Sequence, residues 1–280
     1  MIRLVLTTLS SLPERTSIVS LFELEIGWLT DSGANNTRDT ITLCKKASEA
    51  GADVAIVITP GYFSFGLSRP AHKQFFLDVA AASPIPIMIY NVPAASGGID
   101  LDSQLISELA RESPNICGVK LTCGAVGKLT RITAATATSD FKQYPRKSKV
   151  APEFVTLGGF ADFLAPTVAG GRAHGAIMGL GNIYPRSLVH LLELSLRAKE
   201  TESFADLRKA IELQDLVAGA DESFAKAGIP GTKWWLHKHD GYTNGRVRRP
   251  MLDFSEEKGA ALEKDEAVVR LMEVEKSLAK

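Results

Sequence analysis

Asp53-Val-Ala-Ile-Val-Ile-Thr59 is the segment that most clearly indicates the fold. Its interior is uniformly apolar and leaves no polar face, which is typical of a parallel strand covered on both sides. Pro60 and Gly61 follow directly and end the strand. The segment therefore predicts a buried strand in a parallel α/β sheet.

Short apolar runs of this kind alternate with longer stretches of helical period. The other predicted strands are Ile85–Tyr90, Ile116–Leu121, Phe154–Leu157, His174–Met178, a segment near Glu25–Thr30 and a less regular one at Ile2–Thr7. The predicted helices are Leu12–Leu21, Asn36–Ala50, Pro70–Ala82, Asp102–Arg111, Val126–Thr138, Ala161–Ala169 and Pro185–Lys199. Repeated βα units predict an α/β fold of the (β/α)8 TIM barrel class, although only seven strands are found where a closed barrel has eight.

The alternation of predicted strands and helices is interrupted at two places. Ser139–Glu153 is rich in basic residues and prolines and predicts a solvated excursion between a helix and the next strand. Beyond Lys199 the strands stop, and Phe204–Ala227 and Ser255–Ala279 predict helices. We therefore expect an incomplete barrel over residues 1–200 and a C-terminal helical extension of the same domain over 201–280.

Composition excludes several classes of function. The 32 basic and 32 acidic residues cancel, so no excess positive charge favours a nucleic-acid partner. No apolar stretch approaches the roughly 18 residues of a membrane helix. Three cysteines without a framework spacing indicate a reducing compartment, hence a cytoplasmic protein. Met1–Leu12 weakly resembles a transit segment, which leaves a mitochondrial location as the alternative.

Lys120 is the most unusual polar residue at a predicted strand end. It lies in Gly118-Val-Lys-Leu-Thr122, inside an apolar pattern. Burial disfavours the charged form of a lysine, and a neutral amine can add to a ketone to form a Schiff base. The alternative is a lysine that ends its strand and extends its amine to solvent.

Two tyrosines also stand where strands end. Tyr90 closes the run Ile87-Met-Ile-Tyr-Asn-Val-Pro93, and Tyr62 follows the strand at Thr59. A tyrosine aimed into a barrel mouth can carry protons to a substrate oxygen. The alternatives are a core aromatic at residue 90 and a surface aromatic at residue 62.

Searches for other chemistry give nothing. The glycines at 158–159 and 170–171 lack dinucleotide or Walker spacing, and no serine-triad signature occurs. His237 and His239 are two residues apart, without a carboxylate cluster. We expect no metal and no cofactor, so the chemistry would rest on lysine, tyrosine and backbone groups.

Six segments, taken in order, carry a family resemblance. They are Thr59-Pro-Gly-Tyr62, Tyr90-Asn-Val-Pro93, Gly118-Val-Lys120, Gly158-Gly-Phe-Ala-Asp162, Gly175-Ala-Ile-Met-Gly-Leu-Gly-Asn182 and Gly228-Ile-Pro-Gly-Thr-Lys233. Together they resemble the dihydrodipicolinate synthase and N-acetylneuraminate lyase family. The resemblance implies a (β/α)8 barrel with a C-terminal helical extension that acts on pyruvate or a related 2-keto acid as a dimer or tetramer, without metal or cofactor.

The resemblance also implies roles for individual residues. Lys120 matches the Schiff-base lysine, and Tyr90 matches the tyrosine that relays protons to and from the substrate. Tyr62 matches a tyrosine that the family inserts into a neighbouring subunit's site. Three further residues are expected to bind substrate: Thr122, Gly179 and Asn182.

Two departures from the family pattern affect the expected function. The first strand and a Gly-Thr-Thr-Gly-Glu type loop, which binds the pyruvate carboxylate, have no counterpart, and Thr7-Thr8 is the nearest remnant. We therefore expect an N-terminally truncated barrel that folds or assembles poorly. The alternative to an active enzyme is a catalytically impaired member with a ligand-binding or assembly role.

The second departure concerns substrate. Ala95 stands where the lysine-pathway synthases carry an arginine that would bind an amino-acid carboxylate. Dihydrodipicolinate synthesis is thereby disfavoured. The resemblance favours an aldolase that cleaves a 4-hydroxy-2-keto acid or a 2-keto-3-deoxy sugar acid to pyruvate and an aldehyde.

Overall fold

The computed structural model describes residues 35–147 and 153–279. The predicted strands Ile2–Thr7 and Glu25–Thr30, the predicted helix Leu12–Leu21 and the Thr7-Thr8 remnant lie outside these residues. The chain divides into two compact units, a sheet unit and a helical unit. The sheet unit comprises Gly171–Ala176 and the described residues of Thr8–Gly159, and the helical unit comprises Phe160–Gly170 and the described residues from Ile177 onward. The expected boundary at residue 200 stays a prediction.

The sheet unit contains five parallel strands in sequence order. They are β1 (Ala55–Ile58), β2 (Ile87–Asn91), β3 (Ile116–Leu121), β4 (Val155–Gly158) and β5 (Gly175–Ala176). Every strand predicted within the described residues is found, and all six residues of β3 are buried. An uninterrupted parallel order is the order of strands around a barrel wall.

Four helices accompany these strands: the first precedes β1, and the other three connect β1 to β2, β2 to β3 and β3 to β4. They are α1 (Thr37–Glu49), α2 (Arg69–Ala82), α3 (Ser103–Glu112) and α4 (Val126–Thr136). The side chains of Asn36 and Asp102 cap α1 and α3 by accepting backbone N–H groups of Asp39 and Leu105. Each helix matches its prediction within two residues, because capping residues and apolar periodicity mark the same boundaries.

The predicted solvated excursion at Ser139–Glu153 is wrong for two residues. Phe141 and Arg146 are buried. Arg146 Nη1 donates to the carbonyls of Ser113 and Ile116 at 3.0 and 2.9 Å, and its guanidinium lies 5.3 Å from the Phe141 ring centroid. The guanidinium is therefore satisfied by carbonyl oxygens at the start of β3 rather than by water.

The helical unit begins with a short helical segment that ends in a π-helix at Pro166–Gly170. The predicted helix Ala161–Ala169 falls there. The other helices are α5 (Pro185–Thr201), α6 (Phe204–His239), α7 (Glu256–Leu262) and α8 (Glu266–Ser277).

One helix prediction in this unit is confirmed and another needs correction. The helix predicted at Phe204–Ala227 ends at Gly228, whose non-helical φ of 62° separates it from a second helical segment of α6 that was not predicted. The single helix predicted at Ser255–Ala279 is two helices, because the Asp265 side chain accepts the Val268 N–H and starts α8 as a new helix.

Candidate active site

Lys120 and Tyr90 lie side by side on adjacent strands. Tyr90 of β2 is the register partner of Lys120 of β3. The Nζ atom of Lys120 lies 4.5 Å from the centroid of the Tyr90 ring, and Lys120 is only 8% exposed. Because residues in register on parallel strands point to the same face, the strands themselves bring the amine and the phenol together.

The amine of Lys120 has no carboxylate partner among the residues the structure describes. The lysines that form ion pairs there are other residues. A buried lysine is usually paired. The alternative in which Lys120 extends its amine to solvent is therefore wrong, since the residue is buried against an aromatic ring. Its predicted role as the reacting amine stays a prediction.

Thr122 lies two residues beyond Lys120. Its backbone N–H donates to the Asn91 carbonyl at 2.9 Å and continues the ladder from β3 to β2. Alternation along a strand places it on the same face as Lys120. Its Oγ1 atom is buried and has no hydrogen-bond partner among the described residues. The hydroxyl can therefore donate to, or accept from, a bound molecule.

Tyr62 occupies an exposed loop. It is 73% exposed and packs edge-on against Phe63, with ring centroids 4.8 Å apart. The backbone N–H groups of Gly61 and Tyr62 donate to Asn35 Oδ1, which holds the turn after β1. The structure thus shows Tyr62 as a surface aromatic, while its predicted role in a neighbouring subunit stays a prediction.

Gly179 and Asn182 belong to the helical unit. They begin and end a short 3₁₀ helix, Gly179–Asn182, in which Asn182 Nδ2 donates to the Gly179 carbonyl at 2.9 Å. A Cβ at Gly179 would meet no atom within 4 Å. Their expected part in substrate binding stays a prediction.

A buried polar network behind Tyr90 was not recognised in the sequence. Asn91 is fully buried, and its Nδ2 donates to Asp100 Oδ1 at 2.8 Å while its Oδ1 accepts the Leu101 N–H at 2.9 Å. Lys128 of α4 is also buried and pairs with the same oxygen of Asp100. The available signal was a lysine in the first turn of a helix, where the helix dipole disfavours a cation.

The described residues contain no group of three side chains suited to a metal, and no helix among them is long and apolar enough to cross a membrane. His237 Nδ1 contacts the Tyr242 carbonyl at 2.6 Å, and His239 Nε2 lies 3.1 Å from Glu263. Both histidines thus make local contacts at the end of α6.

Comparison with known proteins identifies the family. The model of the dihydrodipicolinate synthetase family matches residues 15–267. A probable mitochondrial 4-hydroxy-2-oxoglutarate aldolase of Emericella nidulans is 42% identical over 247 residues, which are 88% of this chain and 72% of the relative. An L-threo-3-deoxy-hexylosonate aldolase of Aspergillus niger is 35% identical over 94% of this chain and 78% of its own.

Solved structures agree with the sequence comparison. A putative dihydrodipicolinate synthase family protein from Coccidioides immitis superposes with a TM-score of 0.67 at 30% identity, over 87% of this chain and 72% of that one. The predicted fold is confirmed as a (β/α)8 barrel with a C-terminal helical part. The resemblance found in the sequence motifs is confirmed as well, and the chain belongs to the dihydrodipicolinate synthetase family.

Proposed function

We propose that this chain is a class I aldolase that cleaves a 4-hydroxy-2-keto acid or a 2-keto-3-deoxy sugar acid into pyruvate and an aldehyde. The observation that carries the proposal is the buried amine of Lys120, which lies against the Tyr90 ring and has no carboxylate partner within residues 35–147 and 153–279. The predicted reaction class, carbon–carbon bond cleavage, is confirmed by relatives named as aldolases over most of the chain.

The proposed reaction needs one amine and one proton carrier. The Lys120 amine adds to the C2 carbonyl of the keto acid, and loss of water gives an iminium. The 4-hydroxyl loses its proton, the C3–C4 bond breaks, and the electron pair moves into an enamine while the aldehyde leaves. The enamine takes a proton at C3, and water then hydrolyses the imine to release pyruvate and the lysine.

Tyr90 is the proton carrier of this proposal. Its ring contacts the Nζ atom of Lys120, so the phenol lies beside the atom that would hold the carbonyl carbon. We assign it the proton transfers to and from the 4-hydroxyl, because general acid–base steps need a group within hydrogen-bond reach. Thr122, whose buried hydroxyl has no hydrogen-bond partner in the described part of the chain, would bind a substrate hydroxyl.

The substrate choice rests on two observations. Ala95 is exposed and offers no charge after the Tyr90-Asn-Val-Pro93 segment, where a guanidinium would bind an amino-acid carboxylate. The relatives named for hydroxy-keto acid and deoxy-sugar acid cleavage reach 42% and 35% identity, whereas a relative named as a synthase reaches 31%. Both favour aldol cleavage over dihydrodipicolinate synthesis.

We also propose a homo-oligomer in which the Tyr62 loop contacts a second copy. Tyr62, Phe63 and Phe65 are 73, 55 and 90% exposed and form a continuous aromatic surface. Exposed aromatic clusters of this kind mark protein interfaces.

Two relatives carry "mitochondrial" in their names, so we favour the mitochondrial location over the cytoplasmic one.

Pyruvate release tests the proposal. The purified chain is incubated with 4-hydroxy-2-oxoglutarate or a 2-keto-3-deoxy sugar acid, and pyruvate is followed against the Lys120→Arg variant. Arginine keeps the positive charge but cannot form the imine, so we expect turnover by the original chain only. No pyruvate from any of these acids would favour the catalytically impaired alternative.

A further inference from the structure

Lys128 reaches the Lys120–Tyr90 pair through a short chain of polar contacts. Its amine pairs with Asp100, and Asp100 accepts a hydrogen bond of 2.8 Å from Asn91. Asn91 directly follows Tyr90 on β2, and its backbone carbonyl accepts the Thr122 N–H at 2.9 Å. Asn91 is thus the chain neighbour of a predicted proton carrier and, through its backbone carbonyl, the hydrogen-bond partner of a predicted substrate-binding residue.

The position of Lys128 is unfavourable on local grounds. It is the third residue of α4, where the helix dipole disfavours positive charge, and it is 7% exposed. The carboxylate of Asp100 compensates this cation, although the Asp100 side chain itself is 45% exposed. The pair therefore anchors the first turn of α4 to the end of the loop that leaves β2.

The hydrogen bonds fix Asn91 in a single orientation. Its Oδ1 accepts from the Leu101 N–H, and its Nδ2 donates to a carboxylate that is also bound by Lys128. Without the cation, Asp100 would lose the contact that holds it beside Asn91. The buried amide would then lack a fixed acceptor, and the end of β2 would gain freedom to shift.

We propose that Lys128 is a positioning residue that, through Asp100 and Asn91, holds the Tyr90 phenol over the Lys120 amine. The inference rests on the proposed aldolase function. It assigns no contact with substrate to Lys128. A displacement of about 1 Å in a reacting group can lower turnover by about 10²-fold, so a residue outside the site can control kcat.

The test compares Lys128→Met, Lys128→Arg, Asp100→Asn and the Met/Asn double variant. Lys73→Met is the matched control, since Lys73 is also ion-paired, at 2.6 Å from Glu112, but on α2. Each protein is assayed for kcat and KM in pyruvate release and for its melting temperature. Imine trapping by pyruvate and borohydride is measured in parallel.

Lys128→Met should lower kcat by about 10- to 100-fold with little change in KM, since the proton carrier rather than the binding surface is displaced. Lys128→Arg should restore most of kcat. The double variant should be no slower than the slower single variant, because the residues act through one contact. Lys73→Met should keep its kcat.

A fall in melting temperature with kcat unchanged in Lys128→Met would overturn the proposal, as would additive losses in the double variant. If Lys128→Met does not fold, Asp100→Asn, at a half-exposed side chain, replaces it in the test: a lowered melting temperature with kcat unchanged in that variant would likewise overturn the proposal. Absence of imine trapping in the unaltered chain would overturn the aldolase function and this inference together. Normal imine trapping in the original chain, together with an unchanged kcat in the Lys128 and Asp100 variants, would overturn the inference alone.

Discussion

Thr122 occupies space that only a glycine at residue 159 leaves open. A Cβ at Gly159 would lie 2.6 Å from the Thr122 Cβ and 2.7 Å from its Cα, and closer still to the hydroxyl. These separations are far inside van der Waals contact, so neither chain segment can accept a larger residue without moving. The glycine after β4 thus fixes the position of the Thr122 hydroxyl beside β3.

Gly159→Ala tests this arrangement. The added methyl should displace Thr122, raise KM for the hydroxylated substrate and lower the free energy of unfolding by about 1–3 kcal/mol. Steady-state kinetics and urea unfolding measure the two effects. Gly66→Ala is the control, because a Cβ there meets nothing within 4 Å. Equal, small effects in both variants would contradict the proposed role of the close contact.

Tyr90→Phe removes only the phenolic hydroxyl. If Tyr90 carries protons, kcat should fall by about 10²- to 10⁴-fold while the melting temperature stays close to that of the original chain. Tyr144→Phe, outside the sheet strands, is the control and should keep its activity. Unaltered turnover in Tyr90→Phe would make Tyr90 a core aromatic without a chemical role.

The sheet was predictable because its signal is local. Apolar runs bounded by proline, glycine or capping residues identify strands such as Ile116–Leu121 with their observed bounds. The second helical segment of α6, beyond Gly228, was not predicted, since a glycine and a proline correctly indicate the end of the first segment and the packing of the buried Trp234 and Trp235 supports the one that follows. Arg146 was misjudged because its carbonyl partners are distant in sequence.

The candidate site was predictable only in part. Lys120 and Tyr90 stood out as polar residues at the ends of apolar strands, and strand register places them together. Asn91, Asp100 and Lys128 were missed because their relation depends on the loop between β2 and α3 folding against the first turn of α4. Similarly, the importance of Gly159 appears only when β3 and β4 are paired.

Asp221 predicts a pH dependence of stability. The carboxylate accepts the N–H groups of Ala161 and Asp162, yet burial raises the pKa of this carboxyl group from its usual value near 4 to about 6. The folded state therefore holds a proton that the unfolded state releases between pH 4 and 6. Stability should fall as pH rises through this window, by about 3 kcal/mol for this group.

The Asp221→Asn variant should lose this component, because asparagine keeps an acceptor oxygen without the charge. In urea unfolding at pH 4, 5, 6 and 7, the free energy of unfolding of the variant should rise relative to that of the original chain as the pH increases. Asp215→Asn, at an exposed site on the same helix, should follow the original chain. If the free energy of unfolding depends on pH in the same way for Asp221→Asn and the original chain, Asp221 is not the source of the pH dependence.

Glu275 anchors the start of α5 from the C-terminal helix. Its two oxygens accept the N–H groups of Arg186 and Ser187 at 3.0 and 2.7 Å, and the Ser187 hydroxyl at 2.7 Å. Glu275→Gln replaces one acceptor by a donor, so we expect a loss of about 1–3 kcal/mol in unfolding free energy. Glu273→Gln on the exposed side of α8 serves as the control. If Glu275→Gln and Glu273→Gln unfold at similar urea concentrations, Glu275 does not have the anchoring role.

In the proposed reaction Lys120 supplies the amine that reacts with the keto acid. Incubation with pyruvate and borohydride followed by peptide mass spectrometry tests it most directly, because reduction converts the imine into a stable adduct. We expect a pyruvate-derived mass on the peptide that contains Lys120, and none in Lys120→Arg. Labelling of another lysine with Lys120 unmodified, or no labelling at all, would contradict it.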